Sequence, residues 1–176
     1  MRSGPELARV GEHMALEITR KHILAGVVGG AIAGPGDLLA ATAQFGAPLD
    51  VICRSVASGW VGREAAMAGG LPMAALGFVS DLGISIVAAL IYCIVTPPRE
   101  IAKPWLNGTL FGLVMFTVMR FIITPLSMAG HGKMAPMVLA ESLLVHAFLF
   151  GLPVALIANR ILTPKNQPPN FRPQPG

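Results

Sequence analysis

Four long runs of apolar residues, separated by shorter polar stretches, dominate the pattern of the chain. A hydrocarbon core about 30 Å thick is crossed by roughly 20 helical residues, and each run is at least that long. The pattern therefore predicts an all-α fold, a polytopic four-helix transmembrane bundle within a domain at 22–162. The predicted spans cover 22–45, 71–95, 106–128 and 137–160.

The stretch between the first two runs is too polar to cross a bilayer. Its apolar positions and Trp60 predict a short interfacial segment between helices 1 and 2, with the indole as an anchor. A re-entrant hairpin is the alternative, but it would bury Arg54 and Arg63.

The two ends of the chain differ from the spans. Residues 1–21 place Leu7, Val10, Met14 and Ile18 at helical spacing, which predicts a cytoplasmic amphipathic segment, with a frayed, solvated tail as the alternative. A cleavable signal peptide is disfavoured because the leading region is long and carries three glutamates. Residues 163–176 are rich in proline and polar residues, which predicts a disordered cytoplasmic tail.

Composition and charge agree with a lipid environment. Hydrophobic residues make up 53% and charged residues 12%, and the mean hydropathy is +0.65. The net charge of +4 is spread beside the apolar runs rather than gathered in a patch, so no nucleic-acid partner is expected. Most basic residues fall on one side of the predicted spans, which predicts that both termini are cytoplasmic.

Each span carries an ionisable residue in its interior. Charges at membrane depth normally face one another or water, and small residues flank several of these positions. We therefore expect a buried polar cluster in which Arg120 is the counter-ion and His146 is the titrating group. The members of the cluster are Asp37, Asp81, Arg120 and His146.

Two interpretations of the cluster stay open. It is the site of a small transporter or of a proton- or ion-responsive protein, or it only stabilises the bundle of a non-catalytic accessory or assembly subunit. No catalytic motif accompanies His146, so we expect no enzyme, no cofactor and no metal. The expected partners are membrane lipids and either a second copy of the chain or another membrane protein.

Glycines recur at four-residue spacing in the first and third spans, a pattern that lets transmembrane helices pack closely. Packing inside the bundle is the expected use, and homodimerisation is the alternative. Gly34-Pro35-Gly36 also predicts a kink or interruption of the first helix. Cys53 and Cys93 lie near opposite membrane faces, so no disulfide joins them. The packing glycines are Gly26, Gly30, Gly34, Gly108 and Gly112.

The last three spans resemble a group of small bacterial inner-membrane proteins. Leu106-Asn107-Gly108 opens a helix that ends Thr124-Pro125-Leu126-Ser127, and Glu141 and His146 follow on the next span. This order of features is similar to the YagU-like group, an uncharacterised family of four-helix proteins, from which Arg120 departs. The resemblance implies a location in the bacterial inner membrane and supplies no catalytic residue.

Overall fold

The described part of the chain forms an all-α bundle around four long apolar helices, as the sequence predicts. The structure is a computed structural model, and it describes residues 20–130, 132 and 134–163. The predictions for residues 1–19 and 164–176 lie outside the described residues. Each helix is long and apolar enough to cross a membrane. Their bounds are α1 Arg20–Phe45, α4 Gly70–Val95, α6 Pro104–Leu126 and α7 Pro136–Leu162.

Three shorter helices connect the spans. α2 (Leu49–Val61) and α3 (Arg63–Ala68) join α1 to α4, and α5 (Pro98–Ile101) joins α4 to α6. α2 is the interfacial segment expected after the first span, and its buried face includes Ile52 and Cys53. Each of α5, α6 and α7 begins with proline in its first turn, where the missing N–H has no intrahelical partner to lose.

α1 and α7 lie in the middle of the bundle and α4 and α6 flank them. The buried share of the most apolar window is 39% in α1 and in α7, 28% in α4 and 11% in α6. α4 packs on α1, and α6 packs on α7. Tyr92 of α4 and Phe111 of α6 also meet across the bundle, with ring centroids 4.8 Å apart.

Small residues form the contacts between the long helices. A Cβ atom on Gly26 would lie 2.5 Å from Leu90 Cδ2, and one on Gly30 would overlap the backbone of Ile86. The glycine face of α1 therefore packs against α4 of the same chain. Gly108 and Gly112 of α6 pack in the same way against the backbone and small side chains of α7.

Proline changes the helical turn in two spans. π-helical turns at Met119–Ile123 in α6 and His146–Gly151 in α7 precede Pro125 and Pro153. Proline lacks an N–H and its ring crowds the carbonyl four residues earlier, so a wider turn relieves the conflict. α1 continues without interruption through Pro35, so of the two expectations an interruption is wrong, and a kink there stays a prediction.

The first and second spans are longer than a bilayer core requires. α1 and α4 have 26 residues each, about 39 Å of helix against a core of about 30 Å. α2 packs beside the last turns of α1 and the first turns of α4, in a cluster containing Leu38, Cys53 and Ala74. The extra length thus lets α2 pack against both spans.

Candidate functional site

Asp37 and His146 meet between the two central helices. His146 Nδ1 lies 3.6 Å from Asp37 Oδ1, and the two side chains are 23% and 19% exposed. That separation allows an electrostatic attraction but is too long for a hydrogen bond. Asp37 Oδ1 is buried and has no hydrogen-bond partner.

The contacts of His146 define which ring nitrogen carries hydrogen. Nδ1 lies 3.0 Å from the carbonyl oxygen of Ser142, one turn earlier in α7. A carbonyl or carboxylate oxygen only accepts, so Nδ1–H donates to it. The Phe116 ring packs edge-on against the imidazole, with centroids 5.0 Å apart, and restrains its orientation.

Asp81 approaches α1 at Gly34, one turn before Asp37. A Cβ atom on Gly34 would lie 2.8 Å from Ser85 Oγ and 3.1 Å from Asp81 Oδ2. Asp81 Oδ2 is buried without a hydrogen-bond partner. The two carboxylates therefore lie at the same part of α1, one turn apart. Two acidic groups and one imidazole therefore share the interior at the contact of α1, α4 and α7.

A second polar contact joins α1 to α7 beside this site. Gln44 Nε2 donates to Ser142 Oγ over 2.9 Å and to the Val138 carbonyl over 3.1 Å. Ser142 is 4% exposed, and its carbonyl is the acceptor for His146. Sequence reasoning missed Gln44, although it lies two helical turns after Asp37 on the same face.

Arg120 takes a different position from the one expected. One of its terminal nitrogens donates to the Gly132 carbonyl in the loop before α7. Between residues 20 and 163, as far as they are described, Arg120 makes no ion pair with Asp37 or Asp81. The prediction that Arg120 is the counter-ion of these aspartates is therefore wrong. The physical reason is the π-helical turn that contains Arg120, which changes the α-helical spacing used to place its side chain.

α2 covers the site at one end of the bundle. The Cys53 carbonyl packs directly on Gly77, one turn before Asp81. Trp60 Nε1 donates to Ser80 Oγ over 3.0 Å, and Met128 N–H donates to the Gly59 carbonyl over 3.0 Å. α2 therefore closes this end from α4 to the end of α6.

Side chains that can bind a metal ion are not grouped into a metal site in the described residues. In the part of the chain that the structure describes, no group of three His, Cys, Asp or Glu side chains has a geometry that could hold a metal ion. Both cysteines are buried and free, in agreement with the expectation that no disulfide joins them.

In the described residues, four membrane-length helices around buried ionisable side chains define a multi-pass membrane protein of all-α class. It matches no protein-family model, and comparisons with curated proteins and with solved structures give no match.

Proposed function

We propose that this protein binds protons within the membrane, as a small transporter or a proton-responsive protein, through Asp37, Asp81 and His146. The observation that carries the proposal is a pair of neighbouring carboxylates, each with a buried oxygen that lacks a hydrogen-bond partner. Unsatisfied buried acceptors are costly, and a bound proton supplies the missing donor.

The charge of the site supports protons as the ligand. Two ionised carboxylates beside neutral His146 carry a formal charge of minus two, and a positive imidazolium reduces this to minus one. Arg120 is directed to the Gly132 carbonyl instead of the carboxylates. A proton held by the carboxylate pair removes a further charge from an environment where charge is expensive.

Reconstituted vesicles test the proposal directly. A pH jump across vesicles that contain the protein and an internal pH-sensitive dye reports proton entry. Wild type is expected to dissipate the gradient faster than protein-free vesicles, and Asp37→Asn and Asp81→Asn to return the rate to the protein-free level. Asp50→Asn is the matched control, because Asp50 is exposed on α2 and pairs with Arg54 at 2.6 Å.

Two results would contradict the proposal. One is a wild-type rate equal to that of protein-free vesicles at every pH jump, together with a wild-type conformation that does not change with pH. The other is an equal loss of flux in Asp50→Asn and Asp81→Asn. Thermal unfolding of each variant in detergent separates loss of flux from loss of fold.

The location follows from the distribution of charge. At the end of the bundle where α1 begins, the described residues include Arg20, Lys21, Arg99, Lys103 and Arg160. The opposite end has Arg54 and Arg63 beside Asp50, Glu64 and Glu141. This asymmetry supports cytoplasmic termini. The resemblance of the last three spans to small bacterial proteins supports the bacterial inner membrane. A phosphatase fused to the carboxyl end should be inactive, and a fluorescent protein fused there should be bright.

A second candidate, an accessory subunit of a membrane complex, is favoured by the exposure of α6. Only 11% of its most apolar window is buried within the chain. A partner helix could cover this surface in place of lipid. Cross-linking in native membranes from an exposed residue of α6, Leu110 or Val114, should then capture a defined partner protein. Cross-links to lipid and to unrelated proteins alone would reject this role.

A further inference from the structure

A cavity of about 470 Å³ lies at the end of the bundle opposite α2, far from the carboxylate pair. It is enclosed by the start of α1, the end of α4, the following prolines and the end of α7. Its volume falls in the range of small-molecule sites. Its polar lining includes Lys21, Thr96 and Thr163, and its apolar lining includes Val95, Ile101 and Leu162.

Among the described residues, the positive charge around this cavity is only partly compensated. Glu100 lies 3.6 Å from Arg99 and 3.7 Å from Lys103. Within the described ranges, no ion pair within 4 Å involves Arg20, Lys21 or Arg160. Among the described residues, Lys21 therefore brings a positive charge to the cavity without a carboxylate within ion-pair distance.

The cavity has both polar and apolar lining residues, and this favours a lipid over a free anion as its ligand. A lysine and two hydroxyl groups suit a phosphate diester, whereas valine, isoleucine and leucine side chains suit acyl chain. A free inorganic phosphate would leave the apolar wall unfilled. The cavity also lies at the end of the spans, at the level where a phospholipid headgroup joins its acyl chains.

We infer that this cavity binds an anionic phospholipid, with the phosphate at Lys21 and the upper acyl chain against Val95, Ile101 and Leu162. The site is separate from the proton site, so either proposal stands if the other fails.

Native mass spectrometry of the full chain tests the inference. The purified protein is exposed to equal amounts of phosphatidylglycerol and phosphatidylcholine, and bound lipid is counted. Wild type is expected to retain the anionic lipid preferentially. Lys21→Gln should reduce that retention about fivefold, the effect of one basic residue near an anionic surface. Lys21→Arg should preserve it.

Arg63→Gln is the control, because Arg63 is exposed at the opposite end of the bundle and, in the part of the chain that is described, forms no ion pair. Equal losses in Lys21→Gln and Arg63→Gln would overturn the inference, since they would indicate general charge attraction. Displacement of the lipid by excess inorganic phosphate would overturn the lipid as ligand. Equal retention of the two lipids by wild type, or of neither, would overturn the site itself.

Discussion

Replacement of Gly30 by alanine tests whether the contact between α1 and α4 holds the bundle together. The added Cβ would overlap the backbone of Ile86 and lie 2.6 Å from the Ser85 carbonyl oxygen. Backbone atoms cannot rotate away as a flexible side chain can. The two helices must therefore separate by about 1 Å to restore ordinary contact, which weakens packing along the whole α1–α4 interface.

The size of the effect follows from two opposing terms. Overpacking a close contact costs about 3 kcal/mol, whereas replacing glycine by alanine inside a helix gains about 1 kcal/mol. We expect Gly30→Ala to lower the free energy of unfolding by about 2 kcal/mol, which shifts the unfolding equilibrium roughly 30-fold. Gly83→Ala in α4 isolates the helix term, because Gly83 is exposed and a Cβ there meets nothing within 4 Å.

A fluorogenic thiol dye provides the assay. Cys53 and Cys93 are buried, so the dye reacts only as the bundle opens during heating or denaturant titration. Gly30→Ala should unfold more readily than wild type, and Gly83→Ala should be as stable as wild type or more so. If both variants gain stability equally, Gly30 is not at a close helix contact and the description of the α1–α4 interface is wrong.

Three smaller perturbations test the surroundings of the site. Ser142→Ala removes the hydroxyl that bonds Gln44 and should cost about 0.6 kcal/mol in the same dye assay, and a gain in stability would contradict the bond. Trp60→Phe removes the donor to Ser80 and should loosen α2, seen as faster thiol labelling of Cys53 at constant global stability; unchanged labelling would oppose this. Burial, with smaller contributions from the charges of Asp81 and Asp50, raises the pKa of Cys53 above its usual value. The thiol of the unfolded chain therefore ionises first as the pH rises. The contribution of Cys53 to the free energy of unfolding should be fully present below the unfolded pKa and decrease at alkaline pH. Cys53→Ala should flatten that decrease in thermal unfolding followed by circular dichroism.

The helices could be predicted from the sequence because lipid imposes a simple requirement on length and polarity. The four spans agree with the predicted ranges to within two residues at each end. The helix after the first span was also expected, since Arg54 and Arg63 are too polar for the interior. How it packs was not predictable, because the contact of the Cys53 carbonyl with Gly77 depends on a glycine in a different helix.

The arrangement of the polar residues was only partly accessible from the sequence. Helical spacing places Asp37 on an inward face because α1 follows regular α-helical geometry. His146 is the first residue of its π-helical turn, so the regular turns of α7 before it set its direction. Arg120 lies in a π-helical turn, where spacing no longer predicts direction. The sequence did not predict Gln44 as part of the site, because an amide near a helix end resembles an ordinary interfacial residue until its partner Ser142 is known.

Close packing and the polar site depend on the same glycine. Gly34 is the point where the side chains of Ser85 and Asp81 of α4 pack against α1, and Asp37 follows one turn later. A larger residue at Gly34 would separate the helices and move the two carboxylates apart. The small-residue face of α1 is therefore a condition for bringing two acidic side chains together beside His146. For this reason a role in holding the bundle together and a role in binding protons do not exclude each other, and only variants that remove a carboxylate while preserving the glycine contacts separate them.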